Sequence, residues 1–117
     1  MPAVTIWHNP RCMKSRATLS LLEQHGLQPT VIEYLKTPPS AAEIKATLKK
    51  LHLTAREFIR KGEDVYKELG LADADEGQLI AAMVANPILI ERPVVFHGGR
   101  AALGRPPENV LDLFTDS

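Results

Sequence analysis

The sequence has very little cysteine: of its 117 residues only Cys12 carries a thiol. One thiol excludes an internal disulfide and a Cys-rich zinc site, so no metal centre is expected. It also makes a reducing, cytoplasmic setting the expectation. Net charge is missing too, with 14 basic residues against 14 acidic ones. A general nucleic-acid binder would show a basic excess, so none is expected. No apolar run approaches the ~20 residues of a membrane span, and Met1-Pro2-Ala3-Val4 does not lead from a basic region into a signal-type apolar stretch. No repeat or low-complexity tract is present. What remains, 44% hydrophobic and 24% charged residues, is the composition of an ordinary folded domain. A chain this long can bury roughly two-thirds of its unfolded surface, which supports a core without crosslinks. One domain over residues 1–117 is expected. A monomer is the simplest assembly, because no extended amphipathic seam is visible.

Ala3 to Trp7 is apolar and bounded by Pro2 and His8-Asn9-Pro10, which predicts a short buried strand. From Met13 to His25 the spacing turns helical, with Ala17 and Leu21, and Leu19 and Leu22, on shared faces; Gly26 stands where a helix stops. Thr30 to Tyr34 is rich in β-branched residues and predicts a second strand. Together these make a βαβ unit, which implies a parallel strand pair.

Pro38-Pro39 breaks the pattern. Ser40 with Glu43, and Thr54 with Glu57, read as capping boxes opening two helices; Ile44, Leu48 and Leu51 share a face of the first, and Gly62 is expected to end the second. Asp75 is expected to cap a helix carrying Leu79, Ile80, Met83 and Val84, stopped by Asn86-Pro87. The acidic residues Glu63, Asp64, Glu68, Asp73, Asp75 and Glu76 read as a solvated face. Val94-Val95-Phe96, Gly98-Gly99 and Ala101 to Leu103 form a hairpin pattern, and Pro106-Pro107 opens a last helix with Val110, Leu113 and Phe114 inward. The order predicts an α/β fold: a four-stranded mixed sheet flanked by helices, with a helical insertion at about residues 40–87. A thioredoxin-like fold is its natural candidate.

Cys12 falls between the first strand and the first helix. A thiol at a helix N-terminus is acidified by the helix dipole and by nearby cations. Residues 8–16 hold Arg11, Lys14 and Arg16 and no acid. Cations in a first helical turn are disfavoured by roughly 0.3–1 kcal/mol each, so their presence points to an anion at that terminus, a thiolate or an oxyanion. The competing reading is a small buried hydrophobe. A phosphatase-type loop would need Arg where Thr18 stands, and a dithiol motif would need Cys where Ser15 stands. The site is therefore a monothiol, and any disulfide chemistry requires an external thiol. Ser15 could bond the thiolate or simply start the helix. His8 could pair with the thiolate or bond locally. His25, His52 and His97 lack metal-ligand spacing and read as surface residues. Arg60 suits a helix C-terminus. Arg92 is held extended by Pro93, and Arg105 stands against the dipole of the last helix. Each of the three can be structural, or can offer the planar fork that grips an oxyanion.

The run His8-Asn9-Pro10-Arg11-Cys12-Met13-Lys14-Ser15-Arg16 resembles the active-site segment of the glutaredoxin-dependent arsenate reductase family. So do Tyr34-Leu35-Lys36-Thr37-Pro38-Pro39, Tyr66-Lys67-Glu68-Leu69-Gly70-Leu71, Asn86 to Pro93, and Gly104-Arg105-Pro106-Pro107-Glu108. The resemblance implies a thioredoxin-like fold and reduction of arsenate to arsenite. It implies Cys12 as nucleophile, His8 as an aid to lowering the thiol pKa, and Ser15 as a support for the thiolate. It implies Arg60, Arg92 and Arg105 as oxyanion ligands, a cis Pro93 beside the site, and Asn9 and Arg16 as shaping residues. Glutathione would be a co-substrate, glutaredoxin a partner, and no cofactor would be bound. Where well-characterised reductases carry Gly-Thr after the cysteine, this chain has Met13-Lys14. Two other readings are a glutathione-linked thiol oxidoreductase for another small oxyanion and a regulatory interaction protein. The retention of Cys12 and three arginines favours an enzyme.

Overall fold

Four strands form one sheet in the order β2-β1-β3-β4: β1 (Val4–Trp7), β2 (Thr30–Ile32), β3 (Val94–His97) and β4 (Arg100–Leu103). The pairing of β1 with β2 is parallel, and β1–β3 and β3–β4 are antiparallel. The computed structural model describes residues 3–114 and divides into two compact units, residues up to 37 together with those from 92 on, and residues 38–91.

In the sheet unit, period-two alternation puts Val4 and Ile6 on one face, with Val95 opposite Ile6. Helix α1 (Met13–Gln24) and a 3₁₀ helix, Pro107–Phe114, pack together beside this face. Leu22, Val110 and Leu113 join Val4, Ile6 and Val95 in one buried cluster. The crossover from β1 through α1 to β2 is the expected βαβ unit. Gly26, at φ +78, takes the left-handed conformation that ends α1.

The second unit holds α2 (Ala41–Leu51), α3 (Ala55–Phe58), α4 (Asp64–Glu68) and α5 (Glu76–Ala85). Ser40, Thr54 and Asp75 each cap the helix that follows through a complete capping box, with Glu43, Glu57 and Gln78 reaching back. The Arg56 guanidinium donates to Tyr66 Oη at 2.8 Å, to the Leu71 carbonyl at 2.8 Å and to the Ala74 carbonyl at 2.6 Å, tying α3 to the α4 segment.

Several expectations need correcting. Helix α3 stops at Phe58, ahead of Gly62, because Ile59 turns extended and bridges Ile90. β2 ends at Ile32, short of Tyr34, whose ring is fully buried. The last helix is 3₁₀ in form; its three-residue turn aligns Val110 with Leu113. His97 is half-buried and packs its ring on Phe114 at 4.7 Å, so it is no surface residue.

The acidic stretch is also more than a solvated face. Glu63 pairs with Arg60, Asp75 caps α5, and both oxygens of Glu76 accept the Ala55 N–H, at 2.9 and 3.1 Å. Ala55 is fully buried. Glu76→Ala would leave its amide without that acceptor, an expected loss of about 1–3 kcal/mol. Denaturant titration checks this, and Glu76→Gln, which keeps an acceptor, should recover part of it.

Candidate active site

The loop from β1 to α1 is built by short-range hydrogen bonds. The Asn9 carbonyl accepts the Cys12 N–H at 3.0 Å, and Asn9 Oδ1 accepts the Arg11 N–H at 3.0 Å. The Asn9 N–H donates to Ser15 Oγ at 3.0 Å. His8 Nδ1 lies 2.7 Å from the same hydroxyl, and Arg16 Nη1 donates to the Pro10 carbonyl at 3.0 Å. The His8 N–H continues the parallel ladder to the Ile32 carbonyl at 2.9 Å. Asn9, Ser15 and Arg16 thus hold the turn closed and fix where α1 begins.

Cys12 is the N-cap of α1, with extended backbone and no side-chain capping bond. Its side chain is half-buried. Burial is the largest single influence on the thiol and pushes its pKa up. The Ser15 N–H, the Arg92 positive charge, the Lys14 N–H and a hydrogen bond from Arg92 all push it down, and together they prevail. The thiol therefore titrates below its ordinary range.

Expectation and geometry diverge over which groups act. Arg11, Lys14 and Arg16 are exposed. Lys14 acts on the sulfur through its main-chain amide, and the guanidinium that acts belongs to Arg92. Ser15 likewise reaches Cys12 through its amide, while its hydroxyl serves His8 and Asn9. His8 is buried, and burial lowers its pKa; Glu33 opposes this and Arg16 adds to it. A neutral imidazole bonded to Ser15 steadies the turn and brings no positive charge to the sulfur.

Arg92 and Arg105 lie on adjacent turns flanking β3 and β4. Arg105 Nη1 donates to the Arg92 carbonyl at 3.3 Å, and both residues are half-buried. The Arg92–Pro93 bond is cis, as the resemblance implies, and Arg105–Pro106 is cis as well. The Pro93 carbonyl accepts the Gly104 N–H at 3.0 Å. Cys12, the α1 amides, Arg92 and Arg105 thus belong to one unit. Arg60 belongs to the other, where its Nη2 pairs with Glu63 Oε2 at 2.9 Å.

Sequence reasoning missed two contributors. The amides of Lys14 and Ser15 have no side-chain signature, although any helix N-terminus presents such donors. The Thr18 side chain stands against Gly104 within the unit, a long-range approach that the sequence does not signal. Among the described residues, no group of three or more His, Cys, Asp or Glu side chains is placed to hold a metal ion, and no helix is long and apolar enough to cross a membrane.

Comparison with known proteins places the chain among relatives of one family. The Escherichia coli K12 protein YfgD, described as uncharacterized, is 54% identical over 113 residues, covering 94% of this chain and 95% of that protein. An arsenate reductase of Neisseria meningitidis is 50% identical over 113 residues, covering 94% of this chain and 97% of that protein. The solved structure of an arsenate reductase from Vibrio cholerae superposes with a TM-score of 0.93 at 49% identity, covering 96% of this chain and 98% of that one. The fold is thus the thioredoxin-like α/β fold of these reductases. With the ArsC family profile matching residues 7–113, this chain belongs to the ArsC family.

Proposed function

We propose that this chain is an arsenate reductase working through one thiol, with glutathione as co-substrate and glutaredoxin as reductant. It needs no resident cofactor and acts as a cytoplasmic monomer. The observation that carries the reading is the Cys12 sulfur acidified by two helix amides and the Arg92 guanidinium. Relatives named arsenate reductases at 50% and 43% identity support the substrate.

The Cys12 thiolate attacks As(V): an S–As bond forms, an As–O bond breaks, and the oxygen leaves as water. Arg92 and Arg105 neutralise the oxyanion, with charge placed before the reaction begins. Arg60 is the third proposed ligand on the resemblance alone. Glutathione then displaces a second oxygen as water, giving arsenic held by both sulfurs. A glutaredoxin thiolate attacks the glutathione sulfur, a mixed disulfide forms, and the As–S electron pair reduces As(V) to As(III). Water cleaves the remaining As–S bond, releasing arsenite and restoring Cys12. Overall, two external thiols become one disulfide, as a site with a single cysteine requires.

The test is arsenate-dependent NADPH oxidation coupled through glutathione, glutaredoxin and glutathione reductase. Turnover supports the reading, and a folded protein without turnover removes it. The alternative of another small oxyanion gains if sulfate still shields Cys12 while arsenate is not reduced. That shielding carries its own prediction. Sulfate or arsenate should slow alkylation of Cys12, and Arg92→Ala should weaken the protection at least about tenfold, since a charge-assisted hydrogen bond is worth about 1.5–3 kcal/mol. Protection constants from alkylation rates check it.

A further inference from the structure

Thr18 lies one turn beyond Lys14 on α1 and is fully buried. Its hydroxyl donates to the Lys14 carbonyl at 2.7 Å. The same side chain stands against Gly104. A Cβ built on Gly104 would collide with Thr18 Oγ1, would come within 3.0 Å of Thr18 Cγ2 and would lie 2.7 Å from Pro93 Cγ. Thr18 thus touches the backbone that leads into Arg105, where Gly104 is bonded to Pro93, the neighbour of Arg92. One side chain therefore spans the first turn of α1 and the turn into Arg105, which Gly104 in turn ties to the turn of Arg92.

We propose that Thr18 is a positioning residue, setting the distance from the Lys14 and Ser15 amides to the turns that carry Arg92 and Arg105. The Lys14 bond locks the rotamer, and the locked side chain is the stop on which Gly104 closes. The inference rests on the reading of Cys12 as an activated thiol and deepens it. Arg92 is the charged group acting on the sulfur, so a change in its distance registers in the thiol pKa.

The experiment measures the rate of iodoacetamide alkylation against pH, with and without sulfate, for wild type and Thr18→Ala, Thr18→Ser and Thr18→Val. Alkylation needs no arsenate turnover, so failure here is distinguishable from failure of the reductase reading. Thr18→Ala should raise the alkylation midpoint by roughly one pH unit, slow alkylation near pH 7 roughly threefold and weaken sulfate protection several-fold. Thr18→Ser, which keeps the hydroxyl, should restore most of the wild-type profile. Thr18→Val, which fills the space without the bond, should lie between. Gly104→Ala combined with Thr18→Ala should recover part of the profile lost in Gly104→Ala alone, because the crowded side chain is gone. If Thr18→Ala lowers Tm yet keeps the wild-type midpoint and protection, Thr18 only fills the core and the proposal fails. Equal profiles for the serine and alanine variants would also overturn it.

Discussion

Cys12→Ser is expected to abolish reduction, lowering kcat/KM by at least about 10⁴-fold, the scale on which loss of a nucleophile is felt. The chain has no second cysteine to take over. A serine hydroxyl stays protonated where the thiol ionises, and the amide and guanidinium field that acidifies sulfur is far too weak to make an alkoxide. The fold should not suffer. Cys12 caps α1 without a side-chain bond, whereas serine is among the best N-cap residues. Stability should stay level or rise by about 0.5–1 kcal/mol, the scale of an added cap. Loss of turnover with Tm at or above wild type, read by thermal melts beside the coupled assay, is the expected pair of results. A variant that turns over arsenate would remove Cys12 from the chemistry.

Gly104→Ala is the second large effect, and it acts on the scaffold. The added methyl meets Thr18 on one side and Pro93 on the other, both buried, and neither can swing into solvent. Crowding a packed interior by one methyl costs about 1–3 kcal/mol, so Tm should fall by several degrees. The easiest relief moves the Gly104–Arg105 turn outward. That stretches the bond from Arg105 to the Arg92 carbonyl and loosens the hold on Arg92, the cation that acts on the thiol. Activity should therefore fall more than the unfolded fraction explains. A melt with an assay well below Tm separates the two effects.

Features written in neighbouring residues were legible in the sequence. Ser40 with Glu43 and Thr54 with Glu57 announce helix starts three residues ahead, and all four make the expected bonds. The βαβ unit and the Gly98-Gly99 hairpin were legible for the same reason, since period and turn chemistry are local. What long-range pairing decides was not legible. Gly62 looked like a helix stop, but Ile59 had already left α3 to meet Ile90. Glu76 looked solvated, yet it caps α3 from α5. At the site, the position of Cys12 followed from the strand-to-helix switch. The cations beside it in sequence suggested the wrong source of charge: a side chain on the first turn of a helix points along the surface, and Arg92, brought in by the antiparallel pairing of β1 with β3, acts on the sulfur instead.

The most direct test is the pH dependence of Cys12 alkylation in the unmodified chain. Hydrogen bonds and positive charge overriding burial place the midpoint below the ~8.5 of a free thiol, with reactivity persisting as pH falls towards it. A midpoint at or above that value would mean that burial prevails, and an unactivated sulfur would contradict the account.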